Sequence, residues 1–281
     1  MHRGRVALLI GVVSAVACVA ALACTDVSTD PDTVVAVRFD GSAYPSIVVG
    51  DSLRDSLGAL QPVRATGLNY KGEAVDGADF VFSSPDTNLR LNNEGMVFAR
   101  SRKTDATPAR IFATVGSLQS QPDSLLIVVR ADSIKSVKDV DTVNVSTSSG
   151  EASNASTPVQ FTVFGDTLAR APKITVPGWL VSFQLRYRGT LLPTTDTTQA
   201  YTFVVVGSGT DARRKPTFID STDASGKAER AVFVRAPRQP EDTIFLIATV
   251  RQRKTGTAPI SNEIRLLLRP GTTTTTHVLL P

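Results

Sequence analysis

Residues able to do chemistry are few in this chain, and they sit at its margins. Both cysteines, Cys18 and Cys24, fall within the first 24 residues and do not form a CxxC pair. The two histidines are His2 and His277, the latter beside the threonine run Thr272 to Thr276. Ser-His-Asp triads, Cys-His dyads and His-rich metal sites all need a positioned imidazole, and neither histidine has such a setting. The 26 acidic residues supply carboxylate pairs throughout, so no pair stands out for glycoside hydrolysis. Asp123, Asp132, Asp139 and Asp141 are close enough in sequence to be calcium candidates, but calcium needs several convergent oxygens. There is no DxDxDG loop, and the four aspartates belong to different strands and turns. The reading is therefore non-enzymatic, with catalytic residues, metal and cofactors assigned as none.

The cysteines make more sense through their surroundings. Arg3 and Arg5 form a short basic start, and Val6 to Ala23 is apolar apart from Gly11 and Ser14. Small residues, Ala21-Leu22-Ala23, then precede Cys24. These are the three parts of a secretory signal. The competing reading is a retained anchor, since eighteen residues lie at the lower edge of what spans a bilayer. Ala21-Leu22-Ala23-Cys24 resembles the lipobox of bacterial lipoproteins, with Leu one place nearer the cysteine than usual. The resemblance implies cleavage of residues 1–23 and a lipid on Cys24. Cutting before Cys18 instead would leave Val19 to Ala23 exposed, whereas residues 24–32 are a polar, acidic tether. With residues 1–23 gone, no thiol remains for a disulfide or zinc site, and His277 is the one histidine left. The resemblance also implies export to the cell envelope, at an outer membrane or periplasmic face in a diderm host.

The formal charge of +4 falls to about +2 once Arg3 and Arg5 are removed. The clusters Arg100/Arg102/Lys103 and Arg213/Arg214/Lys215 lie among turn residues without interleaved aromatics, which argues against nucleic acid as a partner.

The elements that would position any site are strands. The chain is 42% hydrophobic but only 6% aromatic, and Val, Ile and Thr favour strands. From Trp179 to Tyr187 the odd positions are large and apolar, and the even positions are polar from Ser182 on, the pattern of a half-buried strand. Val35/Val37/Phe39, Val159/Phe161/Val163, Ile111/Ala113/Val115 and Ile264/Leu266/Leu268 repeat it. Turn clusters separate them at Asp40-Gly41, Lys71-Gly72, Asp76-Gly77, Asn92 to Gly95, Gly207 to Gly209 and Ala224 to Lys227. Ser52 to Leu60 is the one stretch expected to form a short helical turn.

The chain also echoes itself. Val97-Phe98-Ala99-Arg100, Ile111 to Val115 and Leu125 to Arg130 recur in order as Val232-Phe233-Val234-Arg235, Ile244 to Val250 and Ile264 to Arg269. Both VFxR segments follow a glycine turn, at Gly95 and Gly226, and Pro62-Val63 is matched by Pro158-Val159. The expected fold class is all-β: two tandem sandwiches, residues 33–130 and 131–270, followed by a Thr-rich tail or edge strand at 271–281.

Residues 33–130 resemble the bacterial immunoglobulin-like domains of invasin- and intimin-type surface proteins. The carrying motifs are Val48 to Leu53, Val63 to Thr66, Asn69 to Val75, Phe80 to Asp86 and Asn93 to Val97. One departure is that Phe80 or Phe82 stands where the family usually has tryptophan. The second unit is similar through Thr222 to Ala228, with Trp179 where a core tryptophan would pack between sheets. The resemblance implies Ig-like sandwiches at a cell surface that serve adhesion, scaffolding or spacing through strand edges and loops. The alternative is a polysaccharide-binding module of a larger envelope system. Tyr187 and Tyr201 are its few aromatic candidates, though alternation sends Tyr187 toward the core. The expected partners are the membrane, through Cys24, and a protein or glycan of unknown identity.

Overall fold

The computed structural model describes residues 28–103, 107–145, 156–165, 173–192, 202–205, 218–234 and 243–270. Cys24 with its signal, Tyr201, Arg213 to Lys215, His277 and the 271–281 tail lie outside them. No helix occurs among the described residues.

The first unit runs β1 (Ala36–Phe39), β2 (Ser46–Val48), β3 (Ala65–Leu68), β4 (Ala74–Val75), β5 (Val81–Ser83), β6 (Leu89–Leu91), β7 (Val97–Ala99), β8 (Ala109–Val115), β9 (Leu118–Gln119) and β10 (Asp123–Val128). Its sheets are β1-β3-β4, the pair β6-β7, and β2-β10-β8-β5, with β9 also on β8. The second unit runs β11 (Ala131–Ser136), β12 (Val140–Val145), β13 (Val159–Gly165), β14 (Ile174–Thr175), β15 (Leu180–Tyr187), β16 (Thr190–Leu192), β17 (Thr202–Val205), β18 (Ile219–Ser221), β19 (Lys227–Val234), β20 (Thr243–Val250) and β21 (Ile260–Pro270). Its sheets are β11-β13-β19-β17 and β12-β21-β20-β15-β16, with β14 on β13 and β18 on β15.

The order defines the fold. In the second unit, β11-β13-β19-β17 is the A-B-E-D sheet of an immunoglobulin sandwich, and β21-β20-β15 is its G-F-C sheet. In both units the opening segment divides between the two sheets. Its first half pairs antiparallel, β1 with β3 and β11 with β13, and its second half pairs parallel with the last strand, β2 with β10 and β12 with β21. The all-β expectation is met, and its strand order is immunoglobulin-like.

The echo in the sequence falls on matching strands: Val97 to Ala99 on β7 and Val232 to Val234 on β19, the next pair on β8 and β20, the last on β10 and β21, while Arg235 lies outside the described residues. The glycine turns match atom for atom. Asn92 Oδ1 accepts from the Met96 N–H, and Asp223 Oδ1 from the Lys227 N–H. The Gly95 carbonyl accepts from the Val63 N–H, and the Gly226 carbonyl from the Val163 N–H, both at 2.9 Å. Both glycines have positive φ, +78° and +75°. A Cβ on Gly95 would collide with the Val63 carbonyl, and one on Gly226 would lie 2.6 Å from the Thr175 Cβ.

The predicted alternation sets the packing. Val159, Phe161, Val163, Val181, Phe183, Leu185, Ile264, Leu266 and Leu268 are all buried, and the Phe161 and Phe183 rings meet edge to face at 5.9 Å. Ile111 and Ala113 are buried and Val115 half-buried, while Val37 and Phe39 on β1 are also only half-buried, because their sheet has just three short strands. The core of the first unit is built on Ile47, Leu53, Ile111 and Leu125. That of the second recruits Val48, Val128 and Val129 from the first, so the two cores touch.

Ser52 to Leu60 is not helical. Asp55 accepts hydrogen bonds from the Leu57 and Ala59 N–H groups, and the Ala59 carbonyl accepts from the Asp55 N–H. The aspartate side chain satisfies donors that a helix would have used, and the chain reverses as an Asx-type turn.

Candidate functional site: a polar joint between the two units

The most constrained cluster of polar groups is where the units meet. Its centre is Arg253, in the loop between β20 and β21, which is 2% exposed and held at φ 56°. One Nη donates to the Ser46 carbonyl at 2.7 Å, the other to the Arg54 carbonyl at 2.5 Å. The guanidinium carbon lies 3.7 Å from the centre of the Tyr44 ring and 5.3 Å from that of Trp179. An arginine of the second unit is thus inserted into the first. Its charge is met by two carbonyl dipoles and two aromatic faces. Its buried Nε has no hydrogen-bond partner.

Other contacts tie the same seam. Tyr44 Oη accepts from the Leu180 N–H at 2.7 Å, and Ser46 Oγ donates to the Gly178 carbonyl at 2.9 Å. The Trp179 indole N–H donates to the Arg251 carbonyl, and its ring meets Tyr44 at 5.8 Å. Arg130, where one unit passes into the next, donates through one Nη to the Gln252 and Arg253 carbonyls and through the other to Asp51 at 2.5 Å. Asp51 also accepts from Arg54, which donates in turn to the Gly58 carbonyl. Gly58 lies so close to Arg253 and Lys254 that a Cβ there would be 3.0 Å from their backbone.

Burial sets the ionisation of these groups. It pulls Arg253 down to about 10, against the opposing field of Tyr44, and it pushes Tyr44 up to about 12, against the Leu180 N–H bond and the Arg253 charge. Near pH 7 the site therefore holds a charged guanidinium on a neutral phenol. Burial also pushes Asp51 up, but hydrogen bonds from Arg130, the Ser52 N–H and Arg54 outweigh it and hold the carboxyl below its ordinary value.

The structure disperses the calcium candidates. Asp123 is on β10, and its Oδ2 is buried without a partner. Asp132 on β11 pairs with Lys173 at 3.0 Å, Asp139 offers its carbonyl to the Arg265 N–H, and Asp141 on β12 accepts from Thr157. Among the described residues, no three His, Cys, Asp or Glu gather as metal ligands. Tyr187 is half-buried beneath Arg188. In the basic cluster Arg100/Arg102/Lys103, Lys103 is bound to Asp86 at 2.7 Å. Trp179 is fully buried, in the second core but at the end that meets the first unit. Sequence reasoning missed Tyr44 and Arg253 altogether. It met Asp51 only inside a turn motif, and Arg130 only as a boundary.

No family model and no curated protein matches the chain. Solved structures that resemble it include the Yersinia pseudotuberculosis adhesin InvE, at 13% identity over 80% of this chain and 56% of that one, TM-score 0.32. Others are the four N-terminal Ig domains of Dscam1 isoform 6.9, at 9% over 85% and 53%, TM-score 0.36, and domains 1–6 of the surface layer protein SbsC, at 13% over 88% and 31%, TM-score 0.28. The chain spans about half the length of the InvE and Dscam1 chains. The fold assignment rests on the strand order above.

Proposed function

We propose that the protein is a non-enzymatic envelope protein, anchored through a lipid on Cys24. In it, residues 33–130 and 131–270 are two Ig-like domains that work as one stiff spacer and present strand edges and loops for adhesion or scaffolding. The observation that supports this reading is the joint. A flexible tether between domains needs no buried cation, no carbonyls from one unit bound by the other, and no shared core. A spacer that must hold its far end at a fixed distance and angle does need such a joint.

Two measurements test the two halves of the reading. In a bacterial host, the wild-type protein takes up labelled palmitate and its maturation is blocked by globomycin, whereas the Cys24→Ser variant takes up none. Label on that variant would remove the anchor. Small-angle scattering of the protein gives a single narrow distribution of distances between the units. A broad distribution would remove the spacer.

A further inference from the structure

The two units share strand pairs that fix their correspondence. Phe82 on β5 lies opposite Ala113 on β8, and Phe183 on β15 lies opposite Ala248 on β20. Val81 opposite Thr114 likewise matches Ser182 opposite Thr249. Residues 79–82 therefore correspond to residues 180–183.

In the second unit that stretch is covered along its outer edge by β18. Leu180 pairs with Ser221, Val181 with Asp220 and Ser182 with Ile219, and the Phe183 N–H donates to the Phe218 carbonyl at 2.7 Å. In the first unit the strand before the matching glycine turn is β6, and it pairs with β7 instead. Among the described residues, the outer edge of β5 carries no strand. An open groove of ≈ 570 Å³ runs there, lined by Phe80, Phe82 and Val81, the last 51% exposed. Asp40, Asp79 and Glu94 line its walls with one cation, Arg64, and of the three carboxylates Asp40 is already paired with Arg38 at 3.4 Å, which leaves Asp79 and Glu94 for a ligand.

We propose that this groove binds an extended peptide of a partner protein, added antiparallel to β5 in the place β18 takes along β15, and that it selects peptides carrying Lys or Arg. An uncovered edge strand presents unpaired main-chain donors and acceptors, which a peptide strand satisfies. Side chains alternate along the strand, so the phenylalanines on one face receive the apolar side chains, and Asp79, on the face it shares with Val81, receives the basic ones between them. A second copy of this chain fits poorly, because pairing β5 with its own copy would bring two acidic walls together. The inference goes beyond the spacer role and does not depend on the lipid.

The test is a titration of the full ¹⁵N-labelled chain, followed by amide shifts. Three probes are used: acetyl-Lys-Val-Lys-Val-Lys-Val-amide, its Glu-for-Lys counterpart, and Lys peptides N-methylated at alternate residues in each register. The Lys peptide produces saturable shifts at Asp79 to Ser83. The Glu peptide binds at least about tenfold more weakly, as expected when the favourable exposed ion pairs with Asp79 and Glu94 become unfavourable. Methylation in the register that faces β5 abolishes the shifts. The double variant Asp79→Lys with Glu94→Lys, both on exposed side chains, reverses the preference between the Lys and Glu peptides. Equal binding of both charge types, equal binding of both methylated registers, or no shifts at Asp79 to Ser83 would overturn the proposal. So would shifts of those amides on dilution of the protein alone, because a second copy would then be the occupant.

Discussion

Replacing Arg253 with alanine should open the joint without unfolding either unit. Truncation removes two hydrogen bonds from a charged donor, each worth about 1.5–3 kcal/mol, and a desolvated cation–π contact worth about 2 kcal/mol. Against this stands the cost of burying the cation, several kcal/mol, which the variant no longer bears. The Ser46 and Arg54 carbonyls keep part of their bonding through water entering the vacated space. The net weakening of the joint is about 3 kcal/mol, which lowers the ratio of docked to undocked units by roughly a hundredfold. The two cores remain, because Ile47, Leu53, Ile111 and Leu125 pack within the first unit and Phe161, Phe183 and Leu246 within the second. The chain carries a single tryptophan, Trp179, and it is fully buried at this seam. Its fluorescence reads the joint directly. In Arg253→Ala the emission should shift to the red and become accessible to iodide, while far-ultraviolet circular dichroism keeps its β-sheet form. Arg253→Lys should fall between the two, since an ammonium cannot bridge both carbonyls while lying flat on Tyr44. Unchanged emission and quenching in Arg253→Ala, with intact circular dichroism, would refute the claim that this arginine holds the units together.

Acid should loosen the same joint. Asp51 has a folded pKa held below its ordinary value of 3.8, so its contribution is complete above that value and is lost as pH falls through the folded pKa. Red-shifted Trp179 emission should appear only below about pH 4, and Asp51→Asn should show it already at pH 7. Gly226→Ala, at positive φ with Thr175 in the way, should cost the second unit about 2–3 kcal/mol in urea unfolding. Phe183→Ala should cost about 3–5 kcal/mol, whereas Val137→Ala, on a side chain 60% exposed, should stay within about 0.5 kcal/mol of wild type.

The framework could be read from sequence because alternation and turn chemistry are local. A period of two in Trp179 to Tyr187 needs no knowledge of what packs on it, and Gly95 and Gly226 announce turns by lacking a Cβ. Ser52 to Leu60 was misread for an equally local reason: Asp55 competes for the backbone donors, and composition alone does not show which competitor wins. The joint was hidden because each of its parts looks ordinary in isolation. Arg253 stands among turn residues between two strands, where a solvated arginine is the normal expectation. Only the meeting of that loop with Tyr44, more than two hundred positions away, makes it a buried cation.

Repeated and unrepeated residues therefore report different things. Where the units agree, at Phe82 and Phe183, at Ala113 and Ala248, and at the two glycine turns, the residues serve the sandwich itself. Where they disagree, the same count along the strands sets Ala78 against Trp179 and Leu118 against Arg253. The aromatic face and the buried cation of the joint therefore belong to the second unit alone. The first unit supplies the complementary parts from elsewhere, Tyr44 and the carbonyls of Ser46 and Arg54, none of which lies at a matching position. The other disagreement is β6 against β18, which closes the outer edge of one C strand and leaves the other open. The sandwich can hold these departures because each unit keeps a core of its own. What departs from the repeat is free to be shaped by what the molecule must join: its own second half at the joint, and a strand from outside along β5.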